Sequence, residues 1–213
     1  MPPVLIDASH PLVLGSGSPR RREIISALGL PFQVLAADIN EDVLPGEAPL
    51  GYLERIAAEK LAGVRLRLAG AAHAAILVAD TSVVIDGDVL GKPTDVDDAA
   101  RLFSRIAGRM HSVYTRYAIG LAGEQGVKLA RTVETHVHVR AAEPSEIRAY
   151  AATGEGLDKA GAYAAQGIGS FFIERVVGSY SNVVGLPACE VLADLRALGL
   201  VSELAFSPVQ ARV

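Results

Sequence analysis

The stretch Leu12-Val13-Leu14-Gly15-Ser16-Gly17-Ser18-Pro19-Arg20-Arg21-Arg22 decides how the chain is read. An apolar run ends in a Gly/Ser loop, and a helical pattern opens at Pro19. Ser18 stands at the N-cap and Pro19 at the first helical position, where a missing N–H costs nothing. Ile24, Ile25, Leu28 and Leu30 give the helix an apolar face, and Gly29 ends it. A strand, a tight loop and a helix N-terminus make an anion site, because unpaired N–H groups and the positive end of the dipole converge there. Arginines at 20, 21 and 22 oppose that dipole, which favours acids in the first turn. A bound anion reverses the sign of this cost; the alternative is that they are solvated and paired with distant acids. The loop matches neither the Gly-x-x-x-x-Gly-Lys-Ser/Thr nor the Gly-x-Gly-x-x-Gly pattern.

Outward from this unit, Phe32–Ala36 reads as a second strand and Asp38–Pro49 as an acidic, turn-rich loop. Gly51–Leu68 carries Leu53, Ile56, Ala57, Leu61, Val64 and Leu68 at helical spacing. Ala75–Ala79 is expected to be a strand that stops at Asp80-Thr81. Val83–Ile85 and Val89-Leu90 flank Asp86-Gly87, the signature of a hairpin with a two-residue turn. Thr94 or Asp95 caps a helix over Val96–Ile106. His111–Leu121 and Lys128–Arg140 alternate as long strands around a Gly123–Gly126 turn. A short helix follows over Pro144–Ala151, then a glycine-rich loop over Gly154–Gly169, a strand over Phe171–Val177 and a helix over Pro187–Leu198. The βα units at the front and hairpins behind predict an α/β protein with a mixed sheet, in two lobes around a central cleft.

The 213 residues hold 20 Lys plus Arg against 24 Asp plus Glu, and half of them are hydrophobic. That composition excludes a disordered chain. A net charge of −4 also argues against general nucleic-acid binding, which needs a broad basic face, so any bound polyanion must meet a local cluster of cations. Cys189 is the only cysteine, so no disulfide forms within the chain. The most apolar stretch, Leu68–Val78, has about half the ~20 residues of a membrane span. The segment from Met1 lacks the basic residues of a secretory leader, and a cytoplasmic location is expected.

Asp80, directly after an apolar strand, suits Mg²⁺ ligation, base chemistry or the capping of a turn. An ordinary Asp, with pKa ~3.9, is a weak base toward water at ~15.7, so a metal or strong positioning must help it. Lys60, by its helical context alone, reads as a surface charge. Lys92, in Leu90-Gly91-Lys92-Pro93, leaves a tight turn and is held. His136 and His138 alternate on one strand near His111, which is weak support for a metal site and better support for partly exposed strand residues. Cys189 reads as a small core residue. Gln166, in a glycine-bracketed loop, offers the donor and acceptor that reading a base edge requires.

Taken together, these segments resemble the Maf family of nucleotide pyrophosphatases. The resemblance rests on Ser16-Gly17-Ser18-Pro19-Arg20-Arg21, Ala58-Glu59-Lys60, Ala79-Asp80-Thr81 and Leu90-Gly91-Lys92-Pro93. It continues through Gly108–Thr115, Leu157–Tyr163 with Gln166-Gly167, Gly178-Ser179-Tyr180 and Val184-Gly185-Leu186-Pro187, in the family's order. Residues 1–10 are expected to be an extension, 11–200 a single two-lobed domain and 201–213 a tail. The resemblance implies an inosine triphosphatase-like fold and metal-dependent hydrolysis of a nucleoside triphosphate between its α and β phosphates, with Mg²⁺ or Mn²⁺. It places the general base at Asp80, the phosphate-binding groups at Ser16, Ser18, Arg21, Lys60 and Lys92, and specificity at Arg20, Thr81 and Gln166. That Arg, Thr, Gln set is similar to the branch acting on dTTP and UTP. Glu41, in an acidic loop with Asp38 and Asp42, is expected to join Asp80 at the metal. A homodimer is implied, with no membrane and no stable nucleic-acid partner. Val78 stands where many relatives have Gly, a packing change. The rival readings are a pyrophosphatase for 7-methyl-GTP or other modified nucleotides, a nucleotide-binding regulator of cell division without turnover, and a scaffold presenting Arg20–Arg22 to an acidic partner.

Overall fold

In the computed structural model, which describes residues 3–202, β1 (Leu12–Leu14) is fully buried at the heart of a mixed sheet. The remainder of the expected extension and tail, 1–2 and 203–213, lies outside the described residues. β1 pairs in parallel with β2 (Phe32–Val34) on one side and with β3 (Ala75–Ile85) on the other. β3 then runs antiparallel to β5 (Met110–Leu121), β5 to β6 (Leu129–Val139) and β6 to β7 (Ile173–Val177), while β4 (Asp88–Leu90) folds back on the end of β3. The seven-stranded order is β2-β1-β3-β5-β6-β7 with β4 beside β3. The mixed α/β sheet expected from the sequence is therefore present.

The helices follow from local chemistry. α1 (Pro19–Ala27) starts with Pro19 in its first turn behind Ser18, whose hydroxyl accepts the Arg21 N–H. α2 (Pro49–Leu68) begins two residues earlier than its apolar spacing indicated, because Pro49 itself opens it. α3 (Val96–Ile106) is capped by Asp95 through the Asp98 N–H, with Asp97 and Asp98 favouring the dipole. α4 (Pro144–Ala152) carries a capping box between Glu143 and Glu146. α5 (Tyr180–Val184) is capped by Ser179, and α6 (Ala188–Ala197) closes the described fold. The hairpin turn holds Asp86 at φ 54° and Gly87 at φ 82°, the mirror-image turn whose twist matches the strands it joins. The loop expected over Gly154–Gly169 contains one short 3-10 turn, Ala160–Ala162, and runs into another, Gly167–Phe172.

Two apolar cores lie along the long β3–β5 pair. One gathers Leu12, Leu14, Ile25, Leu77, Ile119 and Leu195. The other gathers Val83, Leu90, Phe103, Val113, Val137 and Tyr150. α2 covers the opposite face of the first half of the sheet through Ala57, Leu61, Val64 and Leu68. The cavity described below lies beside the second of these cores, with Val83, Leu90, Val113 and Tyr163 in its wall.

Two expectations are corrected. β3 does not end at Asp80: its ladder with β5 continues from Ala75↔Leu121 to Val84↔Ser112 and pairs Asp80 with Arg116. A long antiparallel partner supplies hydrogen bonds on that side, so the β-branched run beyond Thr81 stays extended. Cys189 is exposed rather than in the core. The buried face of α6 is Val191, Asp194 and Leu195, and Cys189, two residues before Val191, falls about 200° around the helix from it. Among the described residues no helix is long and apolar enough to cross a membrane.

Val78 explains the glycine before the loop. A Cβ on Gly15 would lie 2.6 Å from Val78 Cγ1 and 2.8 Å from Val64 Cγ2, both on fully buried valines. Gly15→Ala should therefore cost about 1–3 kcal/mol by overpacking. Urea unfolding would measure it, and a variant as stable as the parent would contradict this packing.

Candidate active site

The cleft is opened by a gap in strand pairing. β1 occupies the edge of β3 only at Ala75–Leu77, and β4 only at Val83–Ile85. After Leu14 the chain makes one more bond, from the Gly15 N–H to the Leu77 carbonyl at 2.8 Å, then turns away into α1. Among the described residues, the stretch of β3 around Asp80 thus has no strand on that edge, and it faces a cavity of about 740 Å³. Ser16, Ser18, Arg20, Arg21, Glu41, Lys60, Asp80, Thr81, Lys92 and Gln166 all line it, so the structure brings every expected site residue to one cavity.

Arg21 is buried at 8% exposure and makes no ion pair among the described residues. Its Nε donates to the Gly185 carbonyl at 2.8 Å, Nη1 to Ser16 Oγ at 3.0 Å and Nη2 to Thr81 Oγ1 at 3.1 Å. Burial pulls its pKa below the usual value, opposed by the charge of Asp80. A buried guanidinium held by neutral acceptors leaves positive charge uncompensated, which is what an anion site requires. Thr81 Oγ1 lies 2.8 Å from Thr115 Oγ1, and Thr115 donates to the Asn182 carbonyl at 3.2 Å. The fully buried Asn182 side chain donates in turn to the Val113 carbonyl and to Thr135 Oγ1, each at 3.0 Å. Thr115 and Asn182 were not singled out from sequence; they lie far from Arg21 along the chain, and only the fold joins them.

Lys60 is corrected from a surface charge to a buried one. It projects from α2 into the cleft at 7% exposure, with Nζ 2.7 Å from Asp80 Oδ1 and 2.7 Å from Glu41 Oε1. Asp80 Oδ2 has no hydrogen-bond partner among the described residues. Burial opposes ionisation of Glu41, but the hydrogen bond and charge of Lys60, with Lys92 and Arg21, hold its pKa below the usual value. Lys92 is exposed at the cavity wall and unpaired among the described residues. Arg20 pairs with Asp158 at 3.0 Å across the cleft mouth, an exposed contact of small energetic weight. Asp42 also lines the cavity, whereas Asp38 does not.

No group of three or more His, Cys, Asp or Glu side chains among the described residues is placed to hold a metal by itself. Mg²⁺ commonly takes only one or two carboxylates and completes its shell with substrate phosphates and water. Asp80 and Glu41, drawn together by one ammonium, fit that donor set. The histidines do not form a site: His111 pairs opposite Val137, so it faces away from His136 and His138.

His111 is buried, with Nε2 2.8 Å from the Tyr163 hydroxyl and Nδ1 unpartnered. Burial, then the charge of His138, pushes its pKa from 6.5 to about 4. The unfolded chain therefore binds more protons than the folded one between these values. Its contribution to stability is fully present above pH 6.5 and is lost as pH falls toward 4, by about 3 kcal/mol in all. Urea unfolding at pH 7 and pH 5 should show about 2 kcal/mol of this loss, flattened in His111→Phe; an equal slope in both proteins would refute it.

The family model described as Maf-like protein matches residues 11–198. The chain is 46% identical over 189 residues to the dTTP/UTP pyrophosphatase of Hahella chejuensis, covering 89% of this chain and 92% of that protein. It is 45% identical over 188 residues to the dTTP/UTP pyrophosphatase of Geobacter metallireducens, covering 88% and 96%. The protein of the same description from Anaeromyxobacter dehalogenans is 48% identical over 189 residues, covering 88% and 94%.

Proposed function

The chain belongs to the Maf family, and on that footing we propose that it is a nucleoside triphosphate pyrophosphatase whose substrates are dTTP and UTP. The relatives from Hahella and Geobacter bear that description across nearly their whole length, which supports the substrate class. The observation that carries the chemistry is the charge pattern of the cavity. Among the described residues, a buried Arg21 without a carboxylate partner and an unpaired Lys92 stand beside Lys60, which draws Asp80 and Glu41 together.

In this reading the Ser16–Ser18 loop and the cations Arg21, Lys60 and Lys92 bind the triphosphate. Water attacks the α-phosphorus, its proton passes to the free oxygen of Asp80, and the bond to the bridging oxygen breaks to release pyrophosphate and a nucleoside monophosphate. Phosphoryl transfer of this kind needs positioned charge more than a covalent nucleophile. Asp80 and Glu41 would hold Mg²⁺ or Mn²⁺, which would supply Lewis-acid neutralisation of the phosphates. Arg20, Thr81 and Gln166 select the base. Uracil and thymine differ by one methyl, worth only ~1–3 kcal/mol in a pocket, so one site accommodates both.

The test is pyrophosphate release from dTTP, UTP, CTP, dUTP, GTP and 7-methyl-GTP with each metal. Turnover concentrated on dTTP and UTP is expected. Activity confined to 7-methyl-GTP would keep the chemistry and overturn the base assignment. Nucleotide bound without any turnover would make the chain a sensor and overturn the enzyme reading.

A further inference from the structure

Gln166 carries base recognition in the reading above, yet its carboxamide makes no hydrogen bond among the described residues and is exposed on the cavity wall. Its backbone neighbours are fixed instead, from both sides. Tyr150, on the last turn of α4, accepts the Ala164 N–H at 3.0 Å, two residues before Gln166. The Tyr150 hydroxyl donates to Glu155 Oε2 at 3.0 Å. Glu155 then accepts the Ile168 N–H on Oε1 at 2.9 Å and the Gly169 N–H on Oε2 at 2.7 Å, two and three residues after Gln166. Hydrogen bonds from backbone amides to an ionised carboxylate are among the stronger ones.

The loop is shaped around these two side chains. A Cβ on Gly167, where φ is +73°, would lie 2.2 Å from Glu155 Oε1, and one on Gly169 would lie 2.6 Å from the Tyr150 hydroxyl. Tyr150 is itself anchored in the second core, 5.3 Å from the rings of both Phe103 and Phe172. Glu155 is tied to α4 through its N–H on Thr153 Oγ1 at 3.2 Å, and Thr153 donates to the Tyr150 carbonyl at 2.7 Å. The second core thus reaches the base-reading loop through the Tyr150 hydroxyl and the Glu155 carboxylate, while the Tyr180 hydroxyl donates to the Ala165 carbonyl at 3.4 Å.

We propose that Glu155, acting with Tyr150, is the positioning residue that holds the Gln166 loop in register and thereby sets base selectivity. This rests on the nucleotide pyrophosphatase reading. Glu155→Gln is nearly isosteric but replaces one acceptor oxygen by an NH₂ group, leaving a loop amide or the Tyr150 proton without its partner. Tyr150→Phe deletes only the hydroxyl. Each variant should raise KM for UTP about tenfold and lower the UTP-to-CTP ratio of kcat/KM by about the same factor, the scale of one lost buried hydrogen bond. Saturating kcat and inhibition by inorganic pyrophosphate should stay within about threefold of the parent, because the phosphate cations are untouched. Amide exchange at Ile168 and Gly169 should quicken in Glu155→Gln while that of α2 does not. Should Glu155→Gln fail to fold, Tyr150→Phe decides by the same kinetics and by exchange at Ala164.

A parent-like UTP-to-CTP ratio in the variants, or kcat, KM and pyrophosphate inhibition worsening together, would overturn this role and leave the pyrophosphatase reading standing. A parent enzyme without turnover or without base preference overturns that reading and this inference with it.

Discussion

Asp80→Asn should lower kcat for dTTP and UTP by about 10²–10⁴-fold, the usual loss when a positioned general base is removed. The substitution keeps the shape of the side chain and an acceptor for Lys60, whose Nζ lies 2.7 Å from Oδ1. What it removes is the charge and the second oxygen, which has no hydrogen-bond partner among the described residues, on a side chain that lines the cavity. Nucleotide binding should therefore survive, with KM changed less than about tenfold, because Arg21, Lys92 and the Ser16–Ser18 loop are untouched. Pyrophosphate release and nucleotide calorimetry, run beside the parent, separate the two quantities. A variant retaining a third or more of the parent kcat would remove Asp80 from the chemistry.

Lys60→Met should be damaging in a second way. Lys60 and Asp80 form a pair whose side chains are 9% and 11% exposed, and Glu41, 44% exposed, joins from the other side. Without the ammonium, two carboxylates face each other across a poorly solvated gap. Breaking a buried pair by removing one partner costs ~3–5 kcal/mol. Solvent screening of Glu41 favours the low end, about 3 kcal/mol, or a melting temperature lower by about 6–12 °C for a chain of this size. Loss of a phosphate cation should also lower kcat/KM by about 10²-fold. The double variant Lys60→Met/Asp80→Asn carries one carboxylate fewer and should melt above Lys60→Met alone. That non-additivity is the signature of direct coupling. Strict additivity in thermal melts would mean that the 2.7 Å contact contributes nothing.

Local rules made much of this protein readable in advance. α3 runs from Val96 to Ile106 as its sequence predicts, because a capping Asp, acidic first turn and clean apolar spacing all agree. The Asp86-Gly87 hairpin followed from the turn chemistry alone. The strand–loop–helix unit over Leu12–Ala27 formed where the Ser18-Pro19 signal placed it. Cys189 is exposed despite its apolar neighbours, because an apolar neighbourhood in sequence does not say which side of a helix is covered. The stop expected at Asp80 failed for a related reason: strand length is set by the partner, and β5 lies some thirty residues further on.

The chemistry divides along the same line. Residue types and motif order pointed to side chains that the fold brings to one cavity, and suggested the class of reaction, since a strand, a capped glycine loop and a helix N-terminus are a local construction. Tertiary structure alone decided their electrostatic state. Lys60 looks like any solvated helix lysine until α2 is laid across the sheet and its ammonium meets Asp80 and Glu41. Arg21 is one of three arginines in a row, and only the fold buries it against Ser16, Thr81 and Gly185 while Arg20 pairs with Asp158 and Arg22 stays exposed. The physical reason is range. Capping, turn geometry and periodicity act over a few residues, whereas desolvation and Coulomb pairing depend on what the whole chain brings within a few ångströms.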